Sequence, residues 1–494
     1  MNDTREENDS MGLVRVPANA LWGASTQRAV LNFPISGRPM PAAFIHGLGL
    51  VKLAAAQANE ALGQLAPEKS RVIQRAAREI AEGQHDAQFP VDFFQSGSGT
   101  STNTNANEVI VRRAAQLAPD TVGPGVALHP NDDVNLGQSS NDVIPTALHI
   151  SVAIALDRDL APALVLLGAA LERKSTEFAD VVKIGRTHLM DATPMTLGQE
   201  FSGYAMQVRK AGERVGRAIA ALGELSIGGT AVGTALNAHA GFATHVCRIL
   251  SKETGIEFRE ARNHFEAQAA RDDCVEVAGL LATVAASLTK IANDIRLLGS
   301  GPRAGFGELK LPATQPGSSI MPGKVNPVMS EMLVQVGIYV QGLAQMVTAC
   351  GREGHLELNA TLPLIAHCLH ESIRCLANGV RTFAEKCVAG IEVDESRCAE
   401  LTERSLMLVT ALTPQIGYDI AASVAEEALS SGKSLREVVL GRRLMSAAAL
   451  DEALAPLAMT RSQKISAKSL KKAEQNFENE GGHIIEPPPK ISKR

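Results

Sequence analysis

Aromatic side chains make up only 3 % of this 494-residue chain, and there is a single tryptophan. Sandwiches and barrels draw their cores from aromatic and β-branched residues, so this composition disfavours them. The chain also lacks a dominant charge: 48 Lys and Arg stand against 53 Asp and Glu, a net of −5. That balance gives no electrostatic case for nucleic acid or an anionic membrane, and neither is expected as a partner. Seven cysteines are scattered and odd in number, with no C-x-x-C pair and no Cys/His cluster at zinc spacing. They read as reduced thiols of a cytosolic protein. The longest apolar stretches are interrupted, one by Asp157-Arg158-Asp159 and another by Glu276, so no membrane span is expected. The acidic start through Glu6-Glu7 is unlike a signal or transit peptide.

What is abundant is Ala and Leu, within an apolar fraction of 45 %. Small aliphatic side chains suit closely packed helices. Residues 1–40 read as an irregular entry with extended pieces around Val14–Val16. Helical patterns follow from Pro41 to about Leu65 and from about Glu68 to Ala81, stopped by Pro67 and Gly83. A polar block, Gln95–Asn107, leads into a helix at Glu108; a Pro/Gly-rich connection covers about 119–130. The block 138–142 reads as the N-cap of a long helix. Helical periodicity then dominates over about 142–180, 195–225, 265–298, 327–350 and 362–388. Helices this long and this apolar are normally buried among other helices, which points to bundles shared between subunits. The expected division is an N-terminal, mostly helical domain (1–140), a central long-helix bundle (141–392), a small C-terminal helical domain (393–480) and a disordered tail (481–494).

Four polar blocks break this aliphatic chain: 96–107, 129–142, 185–193 and 317–326. They are rich in Ser, Thr and Asn and poor in carboxylates, a donor set suited to an anion. Capping and turn formation explain any one block alone, but four together are harder to dismiss; a small dicarboxylate would need several such donors at once. In the last block, Gly317-Ser318-Ser319-Ile320-Met321-Pro322-Gly323-Lys324-Val325-Asn326-Pro327, two glycines and two prolines enforce a shaped loop. Read alone, this loop serves equally well as an inter-helix connection. A phosphate-binding P-loop is disfavoured, because five residues separate the glycines and Val325 follows Lys324. The third block, Gly185-Arg186-Thr187-His188-Leu189-Met190-Asp191-Ala192-Thr193-Pro194, contributes His188, the side chain best matched to proton transfer near neutral pH. A structural histidine is the competing reading. Glu331, one to two turns into the next helix, is placed to orient a histidine or a water, or to be an ordinary exposed helix residue.

Gly317–Pro327 resembles the signature of the fumarase/aspartase superfamily, whose members eliminate water or an amine to leave fumarate. The resemblance runs from Val16-Pro17-Ala18-Asn19-Ala20-Leu21-Trp22-Gly23 to Ile416-Gly417-Tyr418-Asp419. It is closest to class II fumarate hydratases in Ser139-Ser140-Asn141-Asp142, Asp191-Ala192-Thr193-Pro194, Gly228-Gly229-Thr230-Ala231-Val232-Gly233 and Gln315-Pro316-Gly317 with Gly323-Lys324. The resemblance implies a mainly α, three-domain fold whose central long-helix bundle is shared in a homotetramer, with each active site assembled from three subunits. It implies a small dicarboxylate substrate, no metal and no cofactor, and reversible hydration of fumarate to (S)-malate through an aci-carboxylate carbanion. By the same resemblance Ser318 is the base at C3, Lys324 stabilises charge, and His188 with Glu331 and a water protonates the leaving hydroxyl. Ser98, Thr100, Ser139, Ser140, Asn141, Thr187, Ser319, Lys324 and Asn326 match carboxylate-binding positions, and His129, Asn131 and Asp132 a second, non-catalytic anion site. The alternatives are an aspartate ammonia-lyase or another fumarate-releasing lyase, and, outside catalysis, an inactive structural homologue.

Four positions depart from the resemblance. Asp133 stands where a histidine is usual, Thr104 for a methionine, Ala235 for a glycine and Gln415 for a histidine. Asp133 places negative charge beside an anion-binding block, and weaker anion binding is expected there.

Overall fold

The computed structural model describes residues 3–118 and 128–461. The Pro/Gly-rich residues 119–127 and the tail 481–494, for which disorder was anticipated, lie outside the described residues. The fold is mainly helical, and every sheet among the described residues has two strands. The chain forms two compact units, one made of residues up to Thr176 with Phe201–Val393, the other of Glu177–Glu200 with the chain from Asp394 onward.

The first unit opens with an antiparallel hairpin, β1 (Thr4–Asp9) and β2 (Gly12–Pro17). Its helices are α1 (Ala24–Asn32), α2 (Ala42–Ala61), α3 (Pro67–Ala81), α4 (Thr100–Leu117), α5 (Ser140–Ala155), α6 (Ala161–Glu177), α7 (Leu197–Ala221), α8 (Phe242–Thr254), α9 (His264–Ala269), α10 (Asp272–Leu298), α11 (Val328–Gly351) and α12 (Leu362–Lys386). One turn of π geometry, Leu156–Leu160, joins α5 to α6. α10 packs along α11 and α11 along α12, while α2 lies against α3 and α5. The contact faces are aliphatic: Val277, Leu281, Val284, Leu288 and Ile291 of α10 are buried, as are Leu333, Val340, Leu343 and Val347 of α11. Both helices are long and apolar enough to cross a bilayer, but here they bury their stripes on each other.

Two boundaries differ from sequence expectation. α4 begins at Thr100 instead of Glu108, so the polar block is itself helix. Ser, Thr and Asn disfavour helix interiors because they compete for backbone hydrogen bonds. Here Asn103, Asn105 and Asn107 are buried, and their carboxamides bond to neighbouring elements, Asn105 Nδ2 donating to Gln88 O at 3.0 Å. Tertiary bonds override propensity. The second difference is a break before α10: Ala270 is extended (φ −86°, ψ 153°) and closes α9. Asp272 and Asp273 then open a new helix, acidic residues being favourable at a helix N-terminus.

The second unit carries a hairpin, β3 (Val182–Thr187) and β4 (Met190–Thr196), with α13 (Glu395–Arg404) and shorter helices at Tyr418–Ser431, Leu435–Gly441 and Ala447–Ala453. Leu408, Val409, Leu412, Val424, Val438, Val439 and Leu450 form its core.

Candidate active site

The N-termini of α4 and α5 meet. Gly99 precedes α4 at φ 73°, a left-handed conformation that glycine adopts without steric cost. Ser139 caps α5: its Oγ accepts the Asn141 N–H at 3.2 Å, and its own N–H donates to Asp142 Oδ1 at 2.9 Å. The result is a chain of hydroxyls, Ser98 Oγ to Thr100 Oγ1 at 2.7 Å and Thr100 Oγ1 to Ser140 Oγ at 2.7 Å. Two helix dipoles direct their positive ends at this chain, an arrangement that favours an anion. Asn141 Nδ2 donates to Ala231 O at 2.9 Å, tying in the glycine-rich turn 228–233.

Asp142 is fully buried behind this surface and accepts N–H bonds from Gly228 at 2.9 Å and Thr230 at 3.0 Å. Burial pushes its carboxyl up, while the three N–H donors and the Lys52 charge pull it back. Its task is to fix the turn 228–230 to the start of α5.

The 317–326 loop is closed on itself. Gly317 N–H donates to Lys324 O at 2.9 Å and Asn326 Nδ2 to Gly317 O at 2.7 Å. A Cβ on Gly317 would sit 2.3 Å from Lys324 O, so only glycine fits. Ser318 Oγ accepts the N–H groups of Ile320 at 3.2 Å and Met321 at 3.0 Å. Two donors aimed at one hydroxyl oxygen stabilise negative charge on it. Lys324 and Ser319 are exposed, and Glu331 is half-buried in the first turn of α11. Residues 313–318 and 323–325 line a groove over the loop. Asn326, a candidate ligand, spends one amide N–H as the clasp of the loop.

His188 stands exposed at the tip of the β3–β4 hairpin, where Thr187 pairs with Met190. His188 (φ 56°) and Leu189 (φ 61°) both have positive φ, as a two-residue type I′ turn requires. Neither is the Asn, Asp or Gly usual there, so no turn signature announces this hairpin. Non-glycine residues held at positive φ cluster at functional sites.

In the second anion block His129, Asn131 and Asp132 are exposed. The charge that Asp133 adds is paired: its Oδ1 lies 2.8 Å from Lys69 Nζ, and its Oδ2 accepts the His129 N–H at 2.8 Å. His129 Nδ1 accepts the Asp132 N–H at 3.1 Å.

Sequence reasoning missed Lys52 beneath these blocks. A lysine inside the apolar run Leu48–Ala56 was the available signal.

The chain matches the lyase family model over residues 12–342 and the fumarase C C-terminus model over residues 408–461. It is 52 % identical to a class II fumarate hydratase of Mycobacterium tuberculosis, covering 94 % of this chain and 98 % of the relative. It is 49 % identical to class II fumarate hydratase 1 of Pseudomonas aeruginosa, covering 92 % and 98 %. The crystal structure of a class II fumarase from Schistosoma mansoni superposes with a TM-score of 0.90 at 39 % identity, over 93 % of this chain and 99 % of that one.

Proposed function

The chain belongs to the class II fumarate hydratase family of lyases, and on that premise we propose that it interconverts fumarate and (S)-malate with Ser318 as the base. The carrying observation is that Ser318 Oγ receives two backbone N–H groups within a loop locked by its own glycine and asparagine. A serine hydroxyl is a poor base until its oxyanion is stabilised; these donors and the Lys324 ammonium supply that stabilisation. Ser318 takes a proton from C3 of malate. The electron pair delocalises into the adjacent carboxylate, and the dianionic aci-carboxylate is held by cationic and N–H donors.

The hydroxyl chain Ser98–Thr100–Ser140, with Ser139, Asn141, Thr187, Ser319 and Asn326, binds the substrate carboxylates. His188, oriented with Glu331 through a water, protonates the departing C2 hydroxyl, completing an anti elimination. Several of these blocks reach one site in a homotetramer. That assembly is supported by an exposed apolar row on α11, with Ile338 at 64 % and Met346 at 42 % exposure. A second subunit's helix would bury it.

The test is to follow fumarate absorbance with malate or aspartate supplied to the purified protein. Turnover of malate is expected; turnover of aspartate alone would sink the proposal in favour of an ammonia-lyase.

A further inference from the structure

The amine of Lys52 lies beneath the turn that leads into α5. Lys52, in the middle of α2, is fully buried between Val51, Leu53, Ala54 and Ala55. Its Nζ donates to Asn135 Oδ1 at 2.9 Å and to Gln138 Oε1 at 3.0 Å. Asn135 Oδ1 also receives Asn103 Nδ2 at 3.2 Å and Asn107 Nδ2 at 3.3 Å, both from α4. One amide oxygen therefore takes three donors with two lone pairs, and a protonated Lys52 adds a charge-assisted bond to that crowded acceptor.

The other side of the node is the turn into α5. Gln138 N–H donates to Asn135 O at 3.0 Å, Asn135 Nδ2 to Gln138 O at 3.1 Å, and Gln138 Nε2 to Val134 O at 3.1 Å. Gln138 immediately precedes the Ser139 cap. From α2, Asn59 Nδ2 adds a bond to Leu136 O at 2.9 Å.

We propose that Lys52 is a positioning residue for substrate: its buried amine holds Asn135 and Gln138, Asn135 Oδ1 in turn receives Asn103 and Asn107 of α4, and this node sets the spacing of the Thr100 and Ser140 hydroxyls that bind a carboxylate. The proposal rests on the functional reading above. Burial pulls the Lys52 pKa down to about 7, with the charge of buried Asp142 opposing that shift, so the amine behind the anion site carries its positive charge below about that pH. A lysine serving only the core of α2 would need no bond to the turn that leads into α5, and an aliphatic residue would fill that space at lower cost.

The experiment compares wild type with Lys52→Met and with Lys52→Gln, which keeps a donor and loses the charge. The readouts are KM and kcat for malate, the Kd of succinate as an unreactive dicarboxylate by calorimetry, and thermal melting. Expected for Lys52→Met is a rise of about tenfold or more in both KM and succinate Kd, with kcat within about threefold of wild type. Lys52→Gln should fall between the two. A lowered melting temperature with unchanged KM and succinate Kd would overturn the proposal and leave Lys52 purely structural. Should Lys52→Met not fold, Gln138→Leu removes one acceptor and keeps the lysine; it should raise succinate Kd about threefold, and an unchanged Kd overturns the proposal equally. Failure of the functional reading looks different: wild type would bind succinate and turn over neither malate nor fumarate.

Discussion

The side-chain oxygens of Thr100 and Ser140 lie 2.7 Å apart although 40 positions separate them in sequence. Each opens a helix, α4 and α5, so the contact marks where two helix N-termini converge. Thr100→Val keeps the shape and deletes the hydroxyl. A hydrogen bond to a charged group contributes roughly 1.5–3 kcal/mol, so KM for malate should rise at least about tenfold with a smaller change in kcat. Steady-state kinetics check this; an unchanged KM would remove Thr100 from the binding set.

Ser318→Ala removes the oxygen that accepts the Ile320 and Met321 N–H groups. Loss of the base should lower kcat by about a thousandfold or more, in line with other positioned acid–base and oxyanion groups. Succinate binding should stay within a few-fold of wild type. Near-normal turnover would refute the assignment of Ser318.

Helix content was legible because the Ala/Leu periodicity of α2, α3, α11 and α12 reports buried stripes directly. The polar blocks were legible as a set, since nothing in an aliphatic bundle calls for Ser98, Thr100, Ser139 and Ser140 together. The start of α4 was not, because Asn103, Asn105 and Asn107 are helical only through tertiary bonds that no local pattern encodes. The β3–β4 hairpin was hidden for a related reason: its turn forces His188 and Leu189 to positive φ without Asn or Gly. Lys52 escaped notice because its partners lie 83 and 86 positions away. Local signals mark elements; long-range polar bonds assemble the site.

His188 combines an exposed imidazole with φ 56°. Asn tolerates that conformation better than most residues, so His188→Asn should retain the wild-type melting temperature. Its kcat should fall about a hundredfold, the usual scale for a missing general acid. His188→Val should lose both activity and stability, because a β-branched residue resists positive φ. If His188→Asn melted several degrees low and kept its activity, the histidine would be structural.

Two other histidines set an acid limit. Burial pushes the pKa of His149 down to about 4, with the Arg271 charge adding to it, and burial pushes His370 down to about 4. Both stay neutral in the folded protein while the unfolded chain takes up protons below about 6.5. Above that pH they contribute no pH dependence. As pH falls from about 6.5 toward 4 the unfolded state binds more protons, so stability declines, by roughly 2 kcal/mol per histidine by pH 5. His370 Nε2 and Ser151 Oγ lie 2.9 Å apart; His370→Gln keeps a polar partner for that hydroxyl and should remove about half of this slope. Denaturant unfolding at pH 7 and pH 5 measures it, and an equal slope in the variant would refute the assignment of His370.

Ala235 has φ 56° in the turn that follows the 228–233 segment, its N–H donating to Gly229 O at 3.2 Å. The left-handed region costs a residue with a Cβ about 1–2 kcal/mol, while glycine's greater freedom in the unfolded chain returns about 0.4–1 kcal/mol of that. Ala235→Gly should therefore stabilise by roughly 0.5–1 kcal/mol without altering KM. Gly97 gives the opposite sign, because a Cβ there would sit 1.7 Å from the backbone oxygen of Ala360. That backbone cannot yield without losing the bond from Leu362 N–H to Gly97 O at 3.0 Å. Gly97→Ala should lower the melting temperature and, by displacing Ser98, raise KM as well. Melting and kinetics on the two variants separate the effects: a destabilised Ala235→Gly would show that the turn is not strained, and a silent Gly97→Ala that the close approach is not required.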